Sequence, residues 1–212
     1  MRVTKHEHAC LRIEELGQTL IVDPGNFTDP LEGLHDVAGI VLTHEHPDHW
    51  TPEHLDRILG AFPGIPIFGP AGLAAAASAY DVTVVAPGDA VTIGPFTLSF
   101  YGGRHNVIHS SIPVIDNVGV LVNGVFYYPG DSYAVPAGAD VQLLAAPIGA
   151  PWLKIGEAMD FVLAVAPRRA FGTHDKTLSA IGLGMHRQRL EWAVQQDGGS
   201  FLALDPGDHT EI

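Results

Sequence analysis

Cysteine and long apolar runs are scarce in this chain, and their scarcity excludes several classes of protein. Cys10 is the only cysteine among 212 residues, so an internal disulfide cannot form. A lone Cys in an alternating apolar segment typically packs in the core. No apolar stretch reaches the roughly 18 residues of a membrane-spanning helix, and no basic segment followed by an apolar one opens the chain. We therefore expect a cytoplasmic protein.

Basic residues are also few. Lys and Arg number 11 against 24 Asp and Glu, which gives a formal net charge of −13. Binding to a phosphate backbone relies on clustered Lys and Arg, so this charge argues against a nucleic-acid partner. A small anionic substrate stays open, because local charge can oppose the global sign. Since no linker-like segment interrupts a chain that is 46% hydrophobic, we expect residues 1–212 to form a single domain.

Strand and helix patterns alternate along the whole chain. Thr51 and Pro52 are typical of the cap and first turn of a helix, and Asn123-Gly124 is typical of a hairpin. Helices are predicted at Pro52–Leu59, Ala71–Ala79, Ile155–Val165 and Leu178–Gln196. Strands are predicted near residues 2–6, 10–14, 19–23, 39–43, 65–68, 82–86, 90–93, 96–101, 118–122, 125–128, 141–145, 170–171 and 201–204. These patterns predict a mixed α/β chain.

Four potential metal ligands follow the apolar run Gly39–Leu42 within six residues: His44, His46, Asp48 and His49. In an extended chain, residues two apart point to the same side and lie roughly 6.5 Å apart, so His44 and His46 can face one ion. Pro47, which follows His46, turns the chain. Asp48 and His49 then point elsewhere. Two neighbouring ions fit this division better than one.

The motif His44-x-His46-x-Asp48-His49 resembles that of the metallo-β-lactamase superfamily. Three later segments continue the resemblance in the order that the family requires: Gly102-Gly103-Arg104-His105, Tyr128-Pro129-Gly130-Asp131-Ser132 and Phe171-Gly172-Thr173-His174-Asp175. The opening segment, with His8 and Asp23-Pro24-Gly25, resembles the branch that includes ascorbate-phosphate lactonases. The resemblance implies a four-layer αβ/βα sandwich, in which two mixed sheets pack face to face with helices outside.

The resemblance also implies a ligand set. His44, His46 and His105 would hold the first ion, Asp48, His49 and His174 the second, and Asp131 would bridge both. Seven nitrogen and oxygen ligands without Cys suit two zinc ions, and manganese or iron would also accept them.

The third histidine of the first ion has an alternative. His105 follows a double glycine, which lets the backbone pass close to a site, and we favour it for that reason. His109 lies four residues further on and could be the ligand instead. If His105 is the ligand, His109 either faces the substrate or is an ordinary loop residue.

Five further residues are candidates for support or substrate contact. Trp152 could form an apolar wall, and Lys154 and Arg104 could contact an anion. His8 could face the pocket or be a structural histidine, and Asp23 could support the ligands from behind or stabilise a local turn. Surface positions are expected for the remaining histidines: His6, His35, His54, His186 and His209.

The resemblance implies a metal-dependent hydrolase. A hydroxide bridging two ions would attack a small ester, lactone or phosphate-containing metabolite, and Asp48 would orient it and take up its proton. One alternative is a di-iron redox enzyme on the same fold, against which His46 argues because that group characteristically has Glu there. A non-catalytic binding module is the other. The sequence does not specify the oligomeric state, and a homo-oligomer is the general expectation for such an enzyme.

Overall fold

The computed structural model describes all residues, Met1–Ile212. The chain forms two seven-stranded sheets and four helices. The helices are α1 (Pro52–Ala61), α2 (Ala71–Ala76), α3 (Ile155–Val165) and α4 (Ala180–Gln195). The strands are β1 (Arg2–Lys5), β2 (Leu11–Glu15), β3 (Gln18–Val22), β4 (Val37–Val41), β5 (Ile67–Gly69), β6 (Val82–Val84), β7 (Ala90–Ile93), β8 (Phe96–Arg104), β9 (Asp116–Val122), β10 (Phe126–Tyr128), β11 (Leu143–Pro147), β12 (Arg169–Thr173), β13 (Ser200–Leu202) and β14 (His209–Glu211).

Both sheets are mixed. The first has the order β14-β1-β2-β3-β4-β5-β6 and the second β13-β12-β11-β10-β9-β8-β7. In the first sheet β3 to β6 run parallel, and in the second β10 to β13 do so. Antiparallel hairpins complete each sheet. This order brings the carboxyl ends of β1, β3, β4, β8, β10, β11 and β12 to one edge of the molecule.

The side-chain alternation of the strands builds three apolar layers. Leu20 and Val22 of β3 face the other sheet, whereas Ile21 faces the helices. Leu143 and Leu144 of β11 divide in the same way. One core therefore lies between the sheets, a second under α3 and α4, and a third under α1 and α2. The predicted four-layer αβ/βα sandwich is confirmed.

The structure contains the capping contacts from which the start of the first helix was predicted. The Thr51 hydroxyl accepts the backbone N–H of His54 at the start of α1, and Pro52 lies in its first turn. Helix α3 matches its predicted range, and α4 begins after the cap residue Ser179 rather than at Leu178. None of the four helices is both long and apolar enough to span a bilayer.

Three local predictions were wrong. The Ala-rich helix ends at Ala76 rather than Ala79. Strand β8 continues through the glycine pair at 102–103 to Arg104, because both glycines adopt positive φ and the chain bends without ending the strand. Strand β14 was missed because His209–Glu211 is polar and only half-buried at most. Pairing with β1 stabilises it, and no local pattern encodes that pairing.

Candidate metal centre

The residues that the motif analysis selected meet at one edge of the sandwich. The loop between β4 and α1 carries the HxHxDH motif, and the other positions follow strand ends elsewhere in the chain. These positions are His8 after β1, Asp23 after β3, His105 after β8, Asp131 after β10, Trp152 after β11 and His174 after β12. Strand ends on one edge can present side chains from loops on a rigid scaffold. The edge therefore gathers residues up to 166 positions apart in sequence (174 − 8).

Two groups of potential ligands lie side by side. The first group is His44, His46, His105 and Asp131, and the second group is His8, Asp48, His49 and His174. Within each group the ligand atoms all lie within 4.8 Å of one another. The division of the motif into one pair for each group follows the sequence-based expectation.

Asp131 joins the two groups. Its Oδ2 lies 3.3 Å from Nε2 of His105 and 3.2 Å from Nε2 of His174, and its Oδ1 lies 3.2 Å from Nε2 of His49. Its backbone N–H donates to the side chain of Asn117, which fixes the turn before the carboxylate. One carboxylate therefore touches histidines of both groups.

Three of the histidines are oriented by hydrogen bonds on the far side of the ring. Nδ1 of His49 lies 2.7 Å from a carboxylate oxygen of Asp23, and Nδ1 of His105 and His174 each lie 2.5 Å from backbone carbonyl oxygens. An acceptor at Nδ1 places the proton there. In the neutral form of each ring, Nε2 then carries a lone pair directed into the centre, as in metal-binding histidines.

Several inward-facing atoms of the centre lack a hydrogen-bond partner. Nε2 of His49, His105 and His174 and Oδ1 of Asp131 are buried and unpaired, although buried polar groups are normally satisfied. His44 and His46 direct two ring nitrogens at each other across 3.1 Å. Ligands about 2.0–2.1 Å from a tetrahedral zinc ion lie roughly 3.3 Å apart, which matches these spacings. The residues present therefore fit metal ions.

The charges of the centre are strongly coupled. Burial lowers the pKa of His174, but Asp131 and Asp48 outweigh it and raise that pKa to about 9. Burial likewise opposes protonation of His49, yet Asp131 and Asp23 hold its pKa well above the ordinary value. Burial would raise the pKa of Asp131, but His174 and His49 hold it far below its usual range. Protons on the histidines thus balance the carboxylates, and a divalent cation binding here would displace them.

The first group has a different electrostatic state. Burial lowers the pKa of His44 well below its ordinary value and also lowers the pKa of His46. Both imidazoles are therefore neutral at physiological pH. Neutral imidazole is the form that binds a metal ion.

Asp23 is a residue that sequence reasoning undervalued. Its fully buried carboxylate accepts four hydrogen bonds: from the backbone N–H and hydroxyl of Thr43, from Nδ1 of His49 and from the hydroxyl of Tyr128. Thr43 in turn accepts from Nδ1 of His44. The Asp-Pro-Gly segment predicted a turn, but the four donor groups belong to Thr43, His49 and Tyr128, which lie 20, 26 and 105 positions further along the chain and leave no local signal at Asp23.

Trp152 and His8 are both buried against the centre. The indole N–H of Trp152 donates to Oδ2 of Asp131 over 2.7 Å, and its ring packs edge-on near His105. Nε2 of His8 lies 3.1 Å from Oδ2 of Asp48. Both side chains thus act on the carboxylates of the centre.

The other predicted supporting residues lie outside both groups. His109 is exposed, and its Nδ1 interacts with the hydroxyl and backbone N–H of Ser111. Arg104 and Lys154 are exposed, and neither forms a hydrogen bond or ion pair with the two groups through its side chain. The surface position expected for His54 was wrong: it is buried, and its Nε2 lies 3.1 Å from the carbonyl oxygen of Thr28.

Access to the centre is restricted to one side. His44, His49, His105, Asp131 and His174 are buried, whereas His46 and Asp48 are only half-buried. Asp48 retains 22% exposure of its side chain. A substrate would therefore approach past His46 and Asp48.

The backbone is constrained at the same edge. Three residues of the centre, His8, Asp23 and His174, adopt left-handed conformations with φ of 60°, 48° and 58°. Non-glycine residues rarely do so, and they persist where surrounding contacts hold them.

Comparison with known proteins gives a consistent family. A family model described as the β-lactamase superfamily domain matches residues 2–174. Protein Rv0786c of Mycobacterium tuberculosis (strain ATCC 25618 / H37Rv) is 37% identical over 196 residues, which cover 90% of this chain and 91% of that protein.

Solved structures show the same fold. Igni18, described as a novel metallo hydrolase from the archaeon Ignicoccus hospitalis KIN4/I, superposes with a TM-score of 0.73 at 15% identity and covers 100% of this chain and 98% of its own. CmlA, a diiron β-hydroxylase from Streptomyces venezuelae, superposes with a TM-score of 0.74 at 15% identity over 100% of this chain and 54% of its own. At such low identity these likenesses concern the fold alone.

Proposed function

This chain belongs to the family of β-lactamase superfamily domains, and on that premise we propose that it is a metal-dependent hydrolase with two divalent ions. The observation that carries the proposal is the position of Asp131. Its Oδ2 lies 3.3 Å from Nε2 of His105 and 3.2 Å from Nε2 of His174. A single carboxylate oxygen equidistant from histidines of both groups is suited to a pair of neighbouring ions.

The proposed ligands divide between the two ions. His44, His46 and His105 hold the first, Asp48, His49 and His174 the second, and Asp131 is shared. All donors are imidazole nitrogens and carboxylate oxygens, which favour zinc and also accept manganese or iron. When bound, the two ions would polarise the substrate's reactive centre and lower the pKa of a shared water, so that hydroxide becomes available near neutral pH.

Asp48 has the position of a residue that orients the attacking water. Its Oδ2 is held by His8 and lies 3.2 Å from Nε2 of His174, whereas its Oδ1 accepts no hydrogen bond from the protein. Burial opposes ionisation, but contacts with His174 and His8 hold the pKa of Asp48 far below its usual range. The carboxylate is therefore ionised, and Oδ1 at the accessible side is free to accept a hydrogen bond from the attacking water and so to orient it.

The surrounding residues hold the ligands in place and cover part of the centre. Asp23 fixes His49, and Trp152 covers the face of the centre next to His105 and donates to Asp131. Exclusion of water strengthens the electrostatic contacts inside the site. The proposed substrates are small esters, lactones or phosphate-containing metabolites. The narrower resemblance to ascorbate-phosphate lactonases stays a prediction.

A screen on metal-defined protein tests the hydrolase proposal. Protein stripped with a chelator and reloaded separately with zinc, manganese or ferrous iron would be assayed on aryl esters, lactones and phosphodiesters, with Asp131→Asn as the inactive variant and His109→Ala as the matched control. We expect hydrolysis that requires metal, is lost in Asp131→Asn and is retained in His109→Ala. Oxygen-dependent turnover found only with iron would instead support a redox enzyme, and metal-loaded protein without any turnover would support a binding module.

A further inference from the structure

His8 lies where it could be taken for a fourth ligand of the second ion. It is fully buried in the turn between β1 and β2, and its ligand atom lies within 4.8 Å of those of Asp48, His49 and His174. The family motif does not include it. Whether it binds metal depends on where the proton on its ring is located.

The hydrogen bonds of His8 fix that proton. The backbone N–H of Lys176 donates to Nδ1 of His8 over 3.3 Å, so Nδ1 carries the lone pair. A neutral imidazole then has its proton on Nε2, which lies 3.1 Å from Oδ2 of Asp48. An N–H group that donates to a carboxylate has no lone pair to offer a metal ion.

We propose that His8 is a positioning residue that donates from Nε2 to Asp48 and is not itself a ligand. This inference rests on the proposed dinuclear function, because positioning Asp48 matters only if Asp48 binds an ion. The location of the proton on the His8 ring, in contrast, is a property of the metal-free protein. Loss of the His8 side chain would therefore change the affinity for the second ion only. No hydrogen bond joins His8 to His44, His46 or His105.

The same residue also holds His174. The carbonyl oxygen of His8 accepts the backbone N–H of His174 over 2.7 Å, and the two ring centroids lie 3.9 Å apart. Nearby, the buried Lys5 ammonium pairs with Asp175 at 2.9 Å. The last residue of β1 and the turn after it therefore contact three consecutive residues, 174–176, and His8 links Asp48 to the loop that carries the last histidine.

Metal titration of three variants distinguishes a donor from a ligand. Zinc binding would be measured by competition with a chromophoric chelator for His8→Ala, His8→Gln and, as a buried-histidine control, His54→Gln. We expect His8→Ala to weaken the second site by about 10- to 100-fold, the range for loss of a residue that supports a ligand, and to leave the first site unchanged. His8→Gln should restore most of the affinity because its amide N–H can replace Nε2.

Cobalt spectra add a second readout. If His8 only donates, His8→Gln loaded with cobalt keeps the absorption spectrum of the parent protein, because the ligands are unchanged. Equal weakening in His8→Gln and His8→Ala, or a changed spectrum in His8→Gln, would overturn the inference. Unchanged affinity in His8→Ala would overturn it as well.

The tautomer can be tested without any metal. Long-range nitrogen–proton correlation spectra of uniformly ¹⁵N-labelled, metal-free protein at pH 8, assigned by comparison with His8→Gln, report which ring nitrogen carries the proton. We expect the proton on Nε2 of His8, and a proton on Nδ1 would refute the inference. Should the parent protein bind fewer than two ions, the proposed function fails while this measurement still decides the role of His8.

Discussion

Replacement of Asp23 by Asn is the sharpest test of how the centre is held together. Asp23 is fully buried, and its Oδ2 accepts from the Thr43 hydroxyl, His49 and Tyr128, while Oδ1 accepts the backbone N–H of Thr43. An amide has a single acceptor oxygen. In Asp23→Asn its NH₂ group must therefore face at least one donor in either orientation.

The expected cost follows from this geometry. With the amide oxygen at the position of Oδ2, the NH₂ group faces the backbone N–H of Thr43, which loses its partner. The negative charge that balances His49 is lost at the same time. Removing one partner of a buried charged pair typically costs roughly 3–5 kcal/mol, and we expect a loss of at least ~3 kcal/mol in the free energy of unfolding of the metal-free protein.

Urea unfolding in the presence of chelator measures this loss. For a chain of this size the free energy of unfolding falls by about 2–3 kcal/mol per M urea, so the urea concentration at the midpoint of unfolding should fall by about 1–2 M. Asp140→Asn is the control, because Asp140 is exposed and pairs only with Arg168 at the surface, where ion pairs contribute about 0–1 kcal/mol. A shift for Asp23→Asn no larger than that of the control would refute the account of Asp23 as the buried acceptor of the centre.

Three further outcomes are expected. Trp152→Phe removes the 2.7 Å hydrogen bond to Asp131 and should weaken zinc binding by about 10-fold or more, measured by chelator competition; equal affinity would contradict the contact. Gly130→Ala should abolish high metal affinity, because φ is +62° and an added Cβ would lie 2.5 Å from Oδ1 of Asn117; a variant with full metal content would be inconsistent with this packing. Cys10 is buried, and burial raises the pKa of its thiol, so a disulfide reagent should label it only after denaturation.

The features that could be predicted from the sequence are those that depend on residues close together in the chain. The apolar run before His44, the cap at Thr51 and the hairpin at Asn123-Gly124 are local patterns, and the structure follows each of them. The resemblance of four segments to the family motif indicated which histidines and aspartates meet, and their positions after strands indicated that they meet at one edge.

The features that escaped prediction depend on distant contacts. Tyr128 donates to Asp23 from 105 positions away, and Lys176 donates to His8 from 168 positions away. The sequence around Asp23 or His8 therefore gives no indication of either contact. Strand β14 depends on β1 for its hydrogen bonds, which its own polar sequence does not reveal.

The central claim is that one centre binds two ions, and metal content measures it most directly. Protein purified without chelator or a histidine tag would be analysed by plasma mass spectrometry beside His46→Ala and the exposed control His109→Ala. We predict about two equivalents of divalent metal per chain in the parent and in His109→Ala, with a clear loss in His46→Ala. Unchanged metal content in His46→Ala, or a parent protein that takes up no metal under any loading condition, would contradict the account.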